Sequence, residues 1–189
     1  MRSIVLASGS PRRRELLGQM GITAFEVLPA RGEETAPAGL TPAELVRYLA
    51  MQKAREVAAQ RPDALVIGAD TVVVLDGKVL GKPKDEADAR TMLSALSGRR
   101  HEVYTGLAVV CDGREYGHAE CTEVAFRDLT EVEIAAYVAT GEPMDKAGAY
   151  GIQGRACVFI RGIRGDYYNV VGLPVCALHE LLSQVDAKN

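Results

Sequence analysis

Residues 4–17, Ile-Val-Leu-Ala-Ser-Gly-Ser-Pro-Arg-Arg-Arg-Glu-Leu-Leu, are the stretch around which the chain is organised. Ile4 to Ala7 is a short apolar run that reads as a buried strand. Ser8-Gly9-Ser10 is a small-residue turn, and Pro11 suits the first position of a helix with Ser10 as its N-cap. Leu16, Leu17 and Met20 recur at helical spacing, and Gly21 ends the helix. A strand, a small-residue turn and a helix N-terminus make a ready anion site. Arg12, Arg13 and Arg14 occupy the first turn, where the helix dipole favours acids. They are either three solvated arginines or the forked donors of a phosphate site. Arg13 lies three residues before Leu16 and four before Leu17, so it leans inward and needs a partner.

Composition bounds what surrounds this unit. A chain of 189 residues buries a real core and suits one domain, or two lobes sharing a cleft. The net charge of −3 gives no basic footprint for nucleic acid, so the arginine cluster is a local device. Cys111, Cys121, Cys157 and Cys176 form no CxxC pair, which leaves free, buried thiols in a reducing cytoplasm as the expectation. The chain shows no signal-peptide pattern and no apolar run near the ~20 residues that span a bilayer, so no membrane association is expected.

Other elements follow outward from the first unit. Phe25–Leu28 reads as a short strand and residues 29–40 as a loop carrying Glu33 and Glu34, which are solvated or bind metal or substrate. Thr41, Pro42 and Glu44 make a capping box for a helix running to Gln60. Val46, Leu49, Ala50 and Val57 share its inner face with Lys53, which either snorkels to a rim or reaches an anion. Ala64–Ala69 and Val72–Leu75 are strand segments, with Asp70 and Thr71 interrupting them. Asp70 thus sits in an apolar stretch, where a carboxylate is neutral, paired or metal-bound unless it ends the strand as a cap. Asp76-Gly77 is a hairpin turn into Lys78–Leu80, after which Gly81-Lys82-Pro83 brings Lys82 back toward Asp70.

The second half is punctuated as clearly. Asp85 caps a helix that ends at Gly98. Residues 101–111 and 115–127 form a long hairpin across Asp112-Gly113, and His101 at its start suits a structural hydrogen bond. Thr130 and Glu133 form a second capping box. Gly141–Gly154 holds four glycines with Asp145, Lys146 and Gln153 among them, so its backbone either approaches a ligand or is a flexible connector. Cys157–Ile163 reads as a strand and Asp166–Gly172 as a polar loop. The last helix begins at Pro174 with Val175, Leu178, Leu182 and Val185.

Six segments, in order, resemble the Maf family of nucleoside triphosphate pyrophosphatases. They are Ala7–Arg13, Gly68–Val73, Gly81–Pro83, Ser97-Gly98 with His101 and Thr105-Gly106, Asp145–Gly148 with Gln153-Gly154, and Asn169–Pro174. The resemblance covers almost the whole chain, residues 1–189, as a single domain. It implies an elongated mixed sheet flanked by helices, with two lobes around a cleft, related to the inosine triphosphate pyrophosphatase fold. It implies hydrolysis of a nucleoside triphosphate to the monophosphate and pyrophosphate with Mg²⁺ or Mn²⁺, in a cytoplasmic homodimer.

The same resemblance assigns roles. Asp70 is the proton acceptor and, with Glu33, a metal ligand. Ser8, Ser10, Arg13, Lys53 and Lys82 hold phosphates, and Arg12, Thr71 and Gln153 select the base. The pattern is that of the dTTP/UTP branch, whose sister branch carries glutamate at the position of Gln153 and acts on 7-methyl-GTP. An amide matches the adjacent donor and acceptor of uracil or thymine, whereas a carboxylate suits a cationic base. Two other readings stand beside this one. A regulator of septum formation would bind nucleotide without turnover, and a nucleic-acid module would need the basic, aromatic face that the chain lacks.

Overall fold

The computed structural model describes residues 2–187. Its strands are β1 (Ile4–Leu6), β2 (Glu26–Val27), β3 (Leu65–Leu75), β4 (Lys78–Leu80), β5 (Arg100–Cys111), β6 (Arg114–Phe126) and β7 (Ile160–Arg164). Its helices are α1 (Pro11–Gln19), α2 (Pro42–Gln60), α3 (Glu86–Leu96), α4 (Glu131–Val138), α5 (Tyr167–Val171) and α6 (Val175–Asp186). The strands form one mixed sheet in the order β2-β1-β3-β5-β6-β7, with β4 paired to β3. β1 runs parallel to β2 and β3, while the β3–β4 and β6–β7 pairs are antiparallel. The expected mixed α/β class is therefore observed.

Residues 1–70, 105–120 and 172–189 form one compact unit, and residues 71–104 and 121–171 form the other. In the first unit, Ala50, Ala54 and Val57 of α2 cluster with Val5, Val66, Ala108 and Val110 from the sheet. At two glycines the helix backbone lies directly on the strand. A Cβ at Gly68 would meet the Ala50 carbonyl oxygen at 2.3 Å, and one at Gly106 would meet that of Val46 at 2.1 Å. The capping box fixes the start of α2: the Thr41 hydroxyl accepts from Glu44 N–H at 3.3 Å and the Glu44 carboxylate accepts from Thr41 N–H at 2.8 Å.

In the second unit, α3 and α4 supply Leu93, Leu96, Ile134 and Tyr137 to a core shared with Val103, Phe126, Tyr150 and Phe159. His101 is buried there, its Nε2 2.8 Å from the Tyr150 hydroxyl and its ring edge-on to Phe126 and Tyr150. The structural role expected for it is the one observed. Asp76-Gly77 and Asp112-Gly113 all have positive φ, as two-residue hairpin turns require.

Several local expectations need correction. β3 does not break at Asp70-Thr71 but runs through both, because the carboxylate finds a cation (below). Arg155–Phe159 is a 3-10 turn and pairing begins only at Ile160 opposite Phe126, which leaves Phe159 to plug the core. The segment read as a loop after Asp166 contains α5, whose Asn169 is buried and donates to the Val103 carbonyl and the Thr122 hydroxyl at 2.9 Å each. α6 starts one residue later than expected, with Pro174 at its cap, and buries Leu181 in addition to Leu178 and Val185. Of the four cysteines only Cys111 is buried. Cys121 flanks buried Thr122 on the opposite side of β6, and Cys157 and Cys176 lie on exposed turns of helix.

Burial pushes the His101 imidazole down to about 4. The unfolded chain titrates near 6.5, so between these values it binds more protons than the folded protein, and stability falls as pH drops through the window. The shift corresponds to about 3 kcal/mol in total. Urea unfolding of the wild type and His101→Asn at pH 7 and pH 4 checks this. The stability advantage of the wild type should shrink by about 3 kcal/mol at the lower pH.

Candidate active site

Two clusters in the first unit hold most of the expected residues. The first is the turn between β1 and α1. The Ser8 hydroxyl accepts from Ser10 N–H at 3.3 Å, and the Ser10 hydroxyl caps α1 through Arg13 N–H at 3.5 Å. The Arg13 side chain folds back over the turn, donating from Nε to the Gly172 carbonyl at 2.8 Å and from NH1 to the Ser8 hydroxyl at 3.0 Å. The inward lean read from the sequence is thus real, and protein oxygens meet part of the guanidinium's demand. Burial lowers the Arg13 pKa, while the nearby charges of Asp70 and Glu34 oppose that shift and Arg12 adds to it.

The second cluster is centred on Lys53. Its ammonium lies 2.5 Å from Asp70 Oδ1 and 3.0 Å from Glu34 Oε1. Asp70 is only 8% exposed, so its charge is held in the strand interior by this partner. Helical geometry on α2 and the two-residue period of β3 bring the pair together: Gly68 and Asp70 share the strand face that α2 covers.

The loop over this pair is tied to α2. The Glu56 carboxylate accepts from the backbone N–H groups of Arg31 and Gly32 at 2.7 and 3.0 Å, and Gln52 donates to the Glu33 carbonyl at 3.1 Å. Glu33 contributes that backbone oxygen and is exposed, whereas the neighbouring Glu34 turns its carboxylate to Lys53. The sequence marks Glu34 as a loop acid that is solvated or binds metal or substrate, not as a partner of Lys53, and gives Glu56 and Gln52 no role. Their spacing on α2 with Lys53 was the available signal.

The remaining expected residues belong to the second unit. Thr71 follows Asp70 in an unbroken strand and so points to the opposite face. Lys82 is exposed after β4, and Gln153 is exposed on a turn that the Gly154 N–H closes onto the Gly151 carbonyl at 3.0 Å. Three of the four glycines of this segment lie against the protein's own side chains. A Cβ at Gly148, Gly151 or Gly154 would meet Val73, Lys146 or Glu142 at 2.8, 2.7 and 1.9 Å. Gly148 also has φ +66°, a left-handed conformation that favours glycine.

A buried acid paired to a helix lysine, beside an arginine-bearing turn, occupies the positions where the sequence resemblance places its chemistry. The Maf-like protein family matches residues 3–185. The chain belongs to that family. A dTTP/UTP pyrophosphatase of Pelotomaculum thermopropionicum is 56% identical over 187 residues and 97% of each chain. One from Bacillus cytotoxicus is 51% identical over 187 residues, 99% of this chain and 97% of that protein. Among solved structures, the Staphylococcus aureus Ham1 protein superposes with TM-score 0.56 at 16% identity, covering 97% of this chain and 99% of that one. The Coxiella burnetii HAM1 protein gives 0.54 at 18% identity over all of both chains. The Maf chain therefore has the Ham1/ITPase-like fold expected of it.

Among the described residues no group of three or more His, Cys, Asp or Glu side chains is arranged to hold a metal, and no helix is long and apolar enough to cross a membrane. Asp70 and Glu34 do converge on one cationic centre, and Mg²⁺ typically takes one or two carboxylates and completes its shell with water and phosphate oxygens. The donor set fits such an ion.

Lys53→Met leaves the Asp70 carboxylate buried without its cation. We expect a loss of about 3–5 kcal/mol in unfolding free energy, most of it recovered when Asp70→Asn is added in the same chain. Chemical denaturation of the single and double variants measures both effects.

Proposed function

We propose that this Maf protein hydrolyses dTTP and UTP to the nucleoside monophosphate and pyrophosphate. The observation that carries the reading is the Asp70–Lys53 pair, a buried carboxylate beside an arginine-bearing helix N-terminus. The two dTTP/UTP pyrophosphatases that are more than half identical to it along nearly the whole chain support the substrate class.

In this reading the α1 N-terminus, Ser8, Ser10, Arg13, Lys53 and Lys82 bind the phosphates. Asp70 takes the proton of a water that attacks the α-phosphorus. The bond from that phosphorus to the bridging oxygen breaks, and pyrophosphate leaves. Mg²⁺ or Mn²⁺, held by Asp70 with Glu33 or Glu34, supplies charge neutralisation when bound. Arg12, Thr71 and Gln153 select the base, with the Gln153 amide matching one donor and one acceptor of a pyrimidine edge. The protein works as a cytoplasmic homodimer and binds neither nucleic acid nor membrane. A nucleotide-binding regulator without turnover and a 7-methyl-GTP pyrophosphatase are the rival readings.

Pyrophosphate release from a panel of dTTP, UTP and 7-methyl-GTP, with Mg²⁺ and with Mn²⁺, separates the three. The proposal expects turnover of the two pyrimidine nucleotides above 7-methyl-GTP. Asp70→Asn should retain fold and nucleotide binding while kcat falls by roughly 10²–10⁴. A variant keeping most of its kcat removes Asp70 from the chemistry.

Gln153→Glu tests selectivity. A carboxylate facing a base carbonyl offers no donor, which costs about 1–3 kcal/mol. The kcat/KM ratio of dTTP to 7-methyl-GTP should fall by about fivefold to more than a hundredfold.

A further inference from the structure

The Glu142 side chain is not used by the chemistry above, yet it is the most heavily engaged carboxylate of the glycine-rich segment. α4 ends at Val138, and Gly141 at φ +74° turns the chain into a short 3-10 turn that starts at Glu142. The Thr140 hydroxyl accepts from Glu142 N–H at 3.2 Å, and the Lys146 ammonium donates to the Glu142 carbonyl at 2.7 Å, so its backbone is held on both sides. Its carboxylate then reaches thirteen positions along the chain. Both oxygens accept from Arg155 N–H, at 3.0 and 3.1 Å, and Oε1 accepts from the Tyr137 hydroxyl at 3.0 Å.

Those partners bracket the turn that presents Gln153. Arg155 is two residues after it, and the Gly151 backbone, two residues before it, hydrogen-bonds the same Tyr137 hydroxyl. Burial and the neighbouring Glu142 charge keep that hydroxyl protonated well above the ordinary tyrosine range, so it remains a donor. Gly154 completes the clamp. The carboxylate lies directly over its Cα, where a Cβ would meet Oε1 at 1.9 Å.

We infer that Glu142 is a positioning residue for nucleotide selectivity: its carboxylate, seated on Gly154 and bonded to Arg155 N–H and Tyr137, fixes the turn from which Gln153 reads the base. The inference rests on the role proposed for Gln153. Glu142 stands eleven residues before the base-reading side chain, and its carboxylate explains the glycine at 154. Base reading of this kind operates in ground state and transition state alike, so its loss raises KM more than it lowers kcat.

Gly154 gives an independent lever. Its φ of −95° is open to alanine, and the atom in the way is the mobile end of the Glu142 side chain. Gly154→Ala therefore dislodges the carboxylate while leaving both residues' backbones intact. The experiment measures kcat and KM for dTTP and 7-methyl-GTP in the wild type, Glu142→Ala, Glu142→Gln, Gly154→Ala, Gln153→Ala and Glu142→Ala/Gln153→Ala.

The expected result is a KM for dTTP raised about tenfold in both Glu142→Ala and Gly154→Ala, with the dTTP to 7-methyl-GTP ratio lowered to match. Glu142→Gln, which keeps an acceptor oxygen for Arg155 N–H, should recover most of the ratio. In the Gln153→Ala background, Glu142→Ala should change the ratio no further. A uniform drop in kcat for both nucleotides, with KM and ratio unchanged in both single variants, overturns the inference and makes Glu142 merely structural. An unchanged ratio in Gln153→Ala overturns the base-reading role itself. A shifted ratio there, with none in Glu142→Ala and Gly154→Ala, overturns the clamp alone.

Discussion

Helix α2 is seated on the sheet through two bare glycine positions, Gly68 and Gly106, and the first unit is built around that contact. Gly68 and Gly106 let the Ala50 and Val46 carbonyls approach within distances that any Cβ would block. Overpacking such a contact typically costs 1–3 kcal/mol, and here the obstructing atoms are backbone, which cannot rotate away. The benefit is registration. With α2 pressed onto β3, Lys53 is delivered to Asp70, and Gln52 and Glu56 on the same helix tie down the loop that carries Glu33 and Glu34. A helix standing farther off would leave Asp70 charged in an apolar strand without a cation.

That contact also explains what could be read in advance. The strand–turn–helix start, both capping boxes and both Asp-Gly hairpins use local rules, and each is observed where the sequence puts it. An inward arginine at 13 and an inward lysine at 53 follow from helical spacing, and both are observed. What the spacing does not carry is the identity of the partner. Arg13 meets Gly172, 159 residues away, and Lys53 takes Glu34 together with Asp70. Tertiary partners also account for the errors. An aspartate reads as a strand breaker until its lysine is known, and Cys157–Phe159 reads as strand until Phe159 is seen in the core.

The glycine-rich segment shows the same limit from the other side. Four glycines in fourteen residues suggest either a bound ligand or slack chain. Neither is needed to explain the three that meet side chains. Gly148 admits Val73, Gly151 admits the Lys146 stem and Gly154 admits the Glu142 carboxylate. The bareness of the segment is a record of what packs onto it. It holds an exposed Gln153 on a turn with fixed ends, which is a different physical object from a loop that closes on substrate.

β3 carries a second constraint through its period. Asp70 and Thr71 are adjacent, so an unbroken strand must send them to opposite faces. A slip of one residue would turn Asp70 away from Lys53 and put Thr71 in its place. The register is pinned on both sides of the pair, by β1 against Leu65–Ile67 and by β4 against Val73–Leu75. The Asp76-Gly77 turn fixes the second of these pairings, and the approach of α2 at Gly68 reinforces the first. The hairpin that looks like an incidental excursion after the acidic residue therefore helps hold that residue on the face where a buried charge has its partner.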